Sequence, residues 1–146
     1  MRKPLYDEIG DVIPHDHEEI LNEHHVIRRI SPHHVVPDEK SPTGSKISTM
    51  AFRPSSGPNG GMSVDIENLI IENGLDPKEF VISPPFIGAV KLLVEQLRAN
   101  DFVVGYDPLP DNEFHGEVWG RFSKSKQRKL VDQSVYLVEP SGFQDT

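Results

Sequence analysis

Phe114–Lys129, FHGEVWGRFSKSKQRK, is the stretch on which the reading of the chain turns. Its first half alternates, and side chains alternate across a strand. Read as a strand, it sets His115, Glu117, Trp119 and Arg121 on one face and Phe114, Val118 and Phe122 on the other. Ser123 can then cap a helix reaching to about Gln133, whose first turns carry Lys124, Lys126, Arg128 and Lys129. Val135–Val138 follows as a closing strand.

Upstream of this stretch, Phe102–Tyr106 reads as a strand and Asp107–Glu113 (DPLPDNE) as the loop of a hairpin over 102–120. Ile87–Asn100 reads as the clearest helix, with Ile87, Val90, Val94 and Leu97 along one stripe and Lys91, Glu95 and Arg98 opposite. A shorter helix over Ile66–Asn73 has Asp65 as its N-cap and Gly74 just past its end. Met62–Val64 reads as a strand pairing back on Lys46–Phe52 across the turn-rich Pro54–Gly61. From Asp16 the pattern is weakly helical, and part of Val26–Ile30 reads equally as a strand. Short strands mixed with short helices predict an α+β fold: a single domain, a short, mostly antiparallel sheet and three or four helices. A parallel strand–helix–strand unit across 114–138 is a second arrangement of the same elements. The expected divisions are an N-terminal extension over 1–25, the domain over 26–140 and a tail over 141–146.

Composition narrows the function classes. At 146 residues the chain has the size of one domain. Its net charge of −8 opposes general binding to polyanions, so nucleic acid is an unlikely general partner, and no membrane partner is expected. There is no cysteine, hence no disulfide framework, thiol chemistry or Cys-based zinc site. The N-terminal residues contain no apolar run of signal-peptide length, and the expectation is a cytoplasmic protein without a cofactor.

The motifs divide between two places. Six of the seven histidines fall between positions 15 and 34, and His15-x-His17 has a ligand spacing, so these two are the metal candidates beside a plain structural reading. No H-E-x-x-H, Walker loop, dinucleotide loop or G-x-S-x-G is present. His115 can act as acid or base near neutrality, with Glu117 on its face and Asp107 and Asp111 in the loop before it. The run Arg121–Lys129 carries cations into the first turn of a helix, a position that opposes the helix dipole unless an anion is bound there.

Arg28-Arg29-Ile30, Val35-Val36-Pro37-Asp38, Ser48–Phe52 leading to Met62-Ser63-Val64-Asp65, and Asp107-Pro108 with His115–Gly120 occur in that order. The set resembles a group of small uncharacterised bacterial proteins, over roughly residues 26–140. Where the pattern has an Arg-Pro pair before the Ser-rich strand, this chain has Lys46-Ile47. The resemblance implies a bacterial single domain and brings no activity with it.

Two functions follow as expectations. The first is a small binding or accessory protein that meets a protein partner or small anionic ligand at Trp119, Arg121, Ser123, Lys124, Lys126 and Arg128. The alternative is a small transferase or hydrolase acting on a nucleotide or nucleic acid. Its polar centre would be Arg29, Ser63, His115 and Glu117, with Arg29 or Arg53 holding phosphate. This second expectation requires those side chains to converge in one cleft.

Overall fold

The computed structural model describes residues 1–55 and 60–140; the expectations for Asn59 and for the tail over 141–146 lie outside the described residues. The chain forms an α+β domain around a six-stranded antiparallel sheet. The strands are β1 (His25–Ile30), β4 (Met62–Ile66), β5 (Gly88–Leu93), β6 (Val103–Tyr106), β7 (His115–Trp119) and β8 (Val135–Val138), in the order β6-β7-β4-β1-β5-β8. β2 (Val35–Pro37) and β3 (Ser45–Ile47) make a separate two-stranded ribbon. Among the described residues there are four α-helices, α1 (Glu67–Glu72), α2 (Pro77–Val81), α3 (Val94–Ala99) and α4 (Lys124–Gln133), and two short 3-10 turns, Pro32–His34 and Thr49–Ala51. None is long and apolar enough to cross a membrane.

Alternation along the strands feeds two cores. Val26, Val64, Val90, Leu92, Val104 and Val118 point to one face, where Leu97 of α3 and Leu130 of α4 cover them. Ile27 and Ala89 point to the other, under Ile70 of α1 and Val81 of α2. α1 and α2 pack over Ile27 and Ala89 on that second face, with Phe80 of α2 against Phe114 just before β7. Next to them, the register pairs Asp65 with His115 and Ser63 with Glu117, so four polar side chains share one stretch of sheet.

The residues before β1 close the opposite end. His17 donates its backbone N–H to Val104 O, Val104 donates to Asp16 Oδ1, and Tyr106 donates to His15 Nε2. The open edge of β6 thereby receives the partners that a further strand would supply, which removes a site for unwanted strand pairing. Arg98 pins the segment by donating to Asp16, Asn22 and the carbonyls of His17 and Ile20.

Several expectations change. Ile87–Asn100 is not one helix: its first half is β5, set between β1 and β8. A strand buried on both faces reads as a continuous apolar run, and GAVKLL satisfies that pattern as readily as a helical one. Met62–Ile66 pairs with β7 and β1 rather than with the 45–47 strand. Asp65 does not cap α1, which begins after Ile66 with no side-chain cap, because its carboxylate is held by Arg29. The hairpin of β6 and β7 and the Ser123 cap of α4 are present. β8 pairs antiparallel with β5 and is separated from β7 by three strands, so α4 does not close a local parallel unit.

Candidate functional site

A cleft of about 730 Å³ opens on the sheet where β1 and β4 part company. Their pairing stops at Ile27–Asp65, and the next two residues of β1 are Arg28 and Arg29. Successive strand residues face opposite ways, yet both arginines line the cleft because the splay lets Arg28 turn into the gap. Arg28 is buried, donating from Nε to Ala51 O (2.8 Å) and from Nη1 to Ser63 O (2.9 Å) and Ser55 Oγ (3.2 Å). Burial pulls its guanidinium down to about 10, with Glu117 pulling the other way, so it stays charged at neutral pH. Arg29 makes a two-point contact with Asp65, Nε to Oδ2 at 2.8 Å and Nη2 to Oδ1 at 3.3 Å, with its guanidinium 5.5 Å from the Phe80 ring centre and 5.6 Å from that of Phe86. Among the described residues, Nη2 of Arg28 and Nη1 of Arg29 have no hydrogen-bond partner.

Opposite the arginines stands His115. Its Nδ1 lies 2.7 Å from Asp107 O and 3.5 Å from Asp107 Oδ2, while Nε2 lies 3.5 Å from Glu117 Oε2. A donated Nδ1–H fixes the ring so that Nε2 is the nitrogen whose proton is exchanged. Burial alone would lower this histidine, but the hydrogen bonds to Asp107 and the carboxylates of Glu117 and Asp107 outweigh it and raise the group above its ordinary value. Glu117 is wholly buried. Asp107, His115 and Glu117 each bring one potential ligand atom within 4.8 Å of the others, an arrangement able to hold a cation as well as a proton. Gly61 roofs this corner: a Cβ there would lie 2.9 Å from both Glu117 Oε1 and Trp119 Nε1, so the backbone comes this close only as glycine.

The remaining walls differ in character. Ser31, His33, His34 and Ser55 line the polar side, and Phe80, Phe86 and Leu109 an apolar one. His34 is pushed down to about 4 by burial, with Arg28 and His33 adding to the effect, so it sits neutral in the cleft.

Of the residues singled out in sequence, Arg29, Ser63 and His115 line this one cleft, with Glu117 next to His115. The proposed continuous surface from His115 to Arg128 is not formed. Trp119 is buried on the same side of the sheet as Glu117, its ring 5.4 Å from that of His15. After β7 the chain crosses to the other face, where Lys126 lies over the Phe102 ring at 5.1 Å and Lys124 donates to Thr49 Oγ1. Arg121, Lys124 and Arg128 are exposed there, and Ser123 is occupied as the cap. Arg53 is exposed and outside the cleft lining. The metal candidates His15 and His17 have both ring nitrogens taken up by the fold. His15 meets Ile13 O and Tyr106 N–H; His17 meets Arg2 O and Glu19 N–H. Sequence reading missed Arg28, Asp65 and Asn112 as members of the site. The doublet Arg28-Arg29 within Val26–Ile30 was the available signal, and a stretch that reads equally as helix or strand does not say where its side chains point.

No family model matches the chain, nor does any curated protein or solved structure.

Proposed function

We propose that the protein is a small transferase or hydrolase acting on a nucleotide or nucleic acid, with its site in the cleft between β1, β4 and β7. The observation that carries this reading is the meeting of Arg28, Arg29 and His115 in one cleft. Two guanidinium groups, each with a donor that no described residue takes up, suit a phosphate, which they can grip from two sides. Phe86 and Leu109 offer a flat apolar group a place to rest, and the cleft volume falls in the range of roughly 300–1,000 Å³ usual for such ligands.

In this reading His115 is the acid and base. Held protonated between Asp107 and Glu117, it gives its Nε2 proton to the leaving oxygen as the bond to the phosphate-bearing group breaks. The neutral ring then takes a proton from the attacking water in a hydrolase, or from an acceptor hydroxyl in a transferase. Ser63, beside Glu117 on β4, adds a hydroxyl to the wall nearest that exchange.

The test is to incubate the wild type and His115→Gln with a panel of nucleotides and a short RNA and follow products by mass spectrometry. One substrate class should be consumed by the wild type. The variant should lose at least about a hundredfold in rate, the lower end of what acid–base groups contribute, while still binding inorganic phosphate. A variant as active as the wild type removes His115 from the chemistry. A wild type that neither turns over any member of the panel nor binds phosphate removes the reading.

A further inference from the structure

We propose that Asn112 is a positioning residue that sets the distance between the phosphate-holding Arg29 and the proton-transferring His115. The inference rests on the reading of the cleft just given and identifies what holds its two halves in register. Asn112 belongs to the loop between β6 and β7 and lines the cleft with Leu109 and Asp111. Its side-chain Nδ2 donates to Asp65 Oδ1 at 2.7 Å, the same carboxylate that grips Arg29 at two points. Its Oδ1 accepts the Phe114 N–H at 3.1 Å, and its main-chain carbonyl accepts the N–H of His115 at 3.2 Å and of Leu109 at 3.0 Å.

One residue therefore ties the guanidinium to the backbone that carries the imidazole. The strands alone do not do this. β4 and β7 fix Asp65 opposite His115, but Arg29 lies beyond the last paired residues of β1 and β4, where no ladder hydrogen bond holds it to β4. A carboxylate accepting from both an amide and a guanidinium has little freedom to rotate, so the amide fixes the plane in which Arg29 presents its remaining donor, Nη1. Without Asn112, Asp65 keeps its attraction for Arg29 but not its orientation. The loop that forms the lip of the cleft loses its anchor to the sheet at the same time.

The experiment measures inorganic phosphate binding by NMR titration for wild type, Asn112→Ala, Arg29→Ala and the double variant, each at a temperature where the spectrum is that of the folded protein. Loss of one hydrogen bond to a charged group predicts about tenfold weaker binding for Asn112→Ala. In the Arg29→Ala background the same substitution should change nothing further, because there is no guanidinium left to orient. Equal losses in both backgrounds mean a general structural role and overturn the proposal, as does an Asn112→Ala protein that binds like the wild type. If Asn112→Ala does not fold, the isosteric Asn112→Asp carries the same cycle, since it sets a carboxylate against Asp65 in place of the amide donor. A wild type that binds no phosphate overturns the cleft reading itself, an outcome distinct from either of these.

Discussion

The cleft and the outer face of α4 are the two places where this acidic chain concentrates cations, and they hold them in opposite ways. In the cleft, Arg28 and Arg29 are embedded among carbonyls, a carboxylate and aromatic rings, and each is fixed by at least two hydrogen bonds. On α4, Lys124 and Arg128 are exposed, with a single bond to Thr49 for the first. Fixed donors cost a ligand little reorganisation and act where water is partly excluded, whereas exposed ones compete with solvent and salt. Charge density along the sequence is higher in α4; preorganisation is higher in the cleft. For recognition of a particular anion the second property decides.

The strongest contrast should come from stability. Arg28→Met removes the donor from Ala51 O and Ser63 O and takes the neighbouring cation from buried Glu117. Buried acceptors left without a partner, beside a carboxylate that keeps His115 but has lost the arginine, should cost on the order of 3 kcal/mol in urea unfolding. Arg128→Met on α4 should leave the unfolding midpoint in place. If the two behave alike, the cleft is less enclosed than described.

A second effect separates two histidines within the cleft. His115 binds its proton more tightly in the folded chain than in the unfolded one, where the value is near 6.5. Its contribution to stability is therefore complete below 6.5 and is lost as pH rises through the raised value. His34 has the opposite sign. It is neutral in the fold, its contribution is complete above 6.5, and it is lost as pH falls toward about 4. Stability should thus decline at both ends, with His115→Gln flattening the alkaline side and His34→Gln the acid side. Imidazole titration by NMR checks both assignments, and a His115 midpoint below 6.5 would sink the claim that Asp107 and Glu117 govern it.

How much of this was readable beforehand depends on what kind of information each residue carries. The β6–β7 hairpin, the Ser123 cap and the closing β8 are local patterns, and alternation or capping chemistry states them outright. β5 was hidden because a strand buried on both faces loses its alternation, and Val90 and Val94 fell by chance at helical spacing. The site was half legible: His115 and Glu117 share a strand face by simple parity, and Ser63 and Arg29 were named with them. Their convergence depends on sheet order, which sets β4 between β7 and β1. Arg28 was illegible for a further reason, since parity points it away from Arg29 and only the parting of β1 from β4 brings it back.

A smaller effect tests whether α4 is simply a structural helix. Ser123 accepts the Lys126 N–H at 3.3 Å as its N-cap, with cations rather than acids in the first turn. Ser123→Ala should cost about 1 kcal/mol, the usual value for a lost cap. Phosphate binding should stay unchanged, because the cap lies on the far side of the sheet from the cleft. A loss of phosphate affinity equal to that of Arg29→Ala would move the anion site to the start of α4.

The smallest effect is the one that discriminates best. Reversing Lys124, Lys126 and Arg128 to glutamate changes the formal charge by six, from −8 to −14. If the cleft is the anion site, that large change should alter phosphate affinity by less than about twofold at physiological ionic strength, where exposed charges are screened over roughly 8 Å. The effect should grow as salt is lowered, since only long-range repulsion remains to carry it. Lys126 also gives up its place over the Phe102 ring, so a modest drop in thermal stability is expected without a change in fold. Binding abolished at every salt concentration would mean contact rather than field. It would return the function to the basic helix and leave the cleft as a buried polar network that organises the sheet.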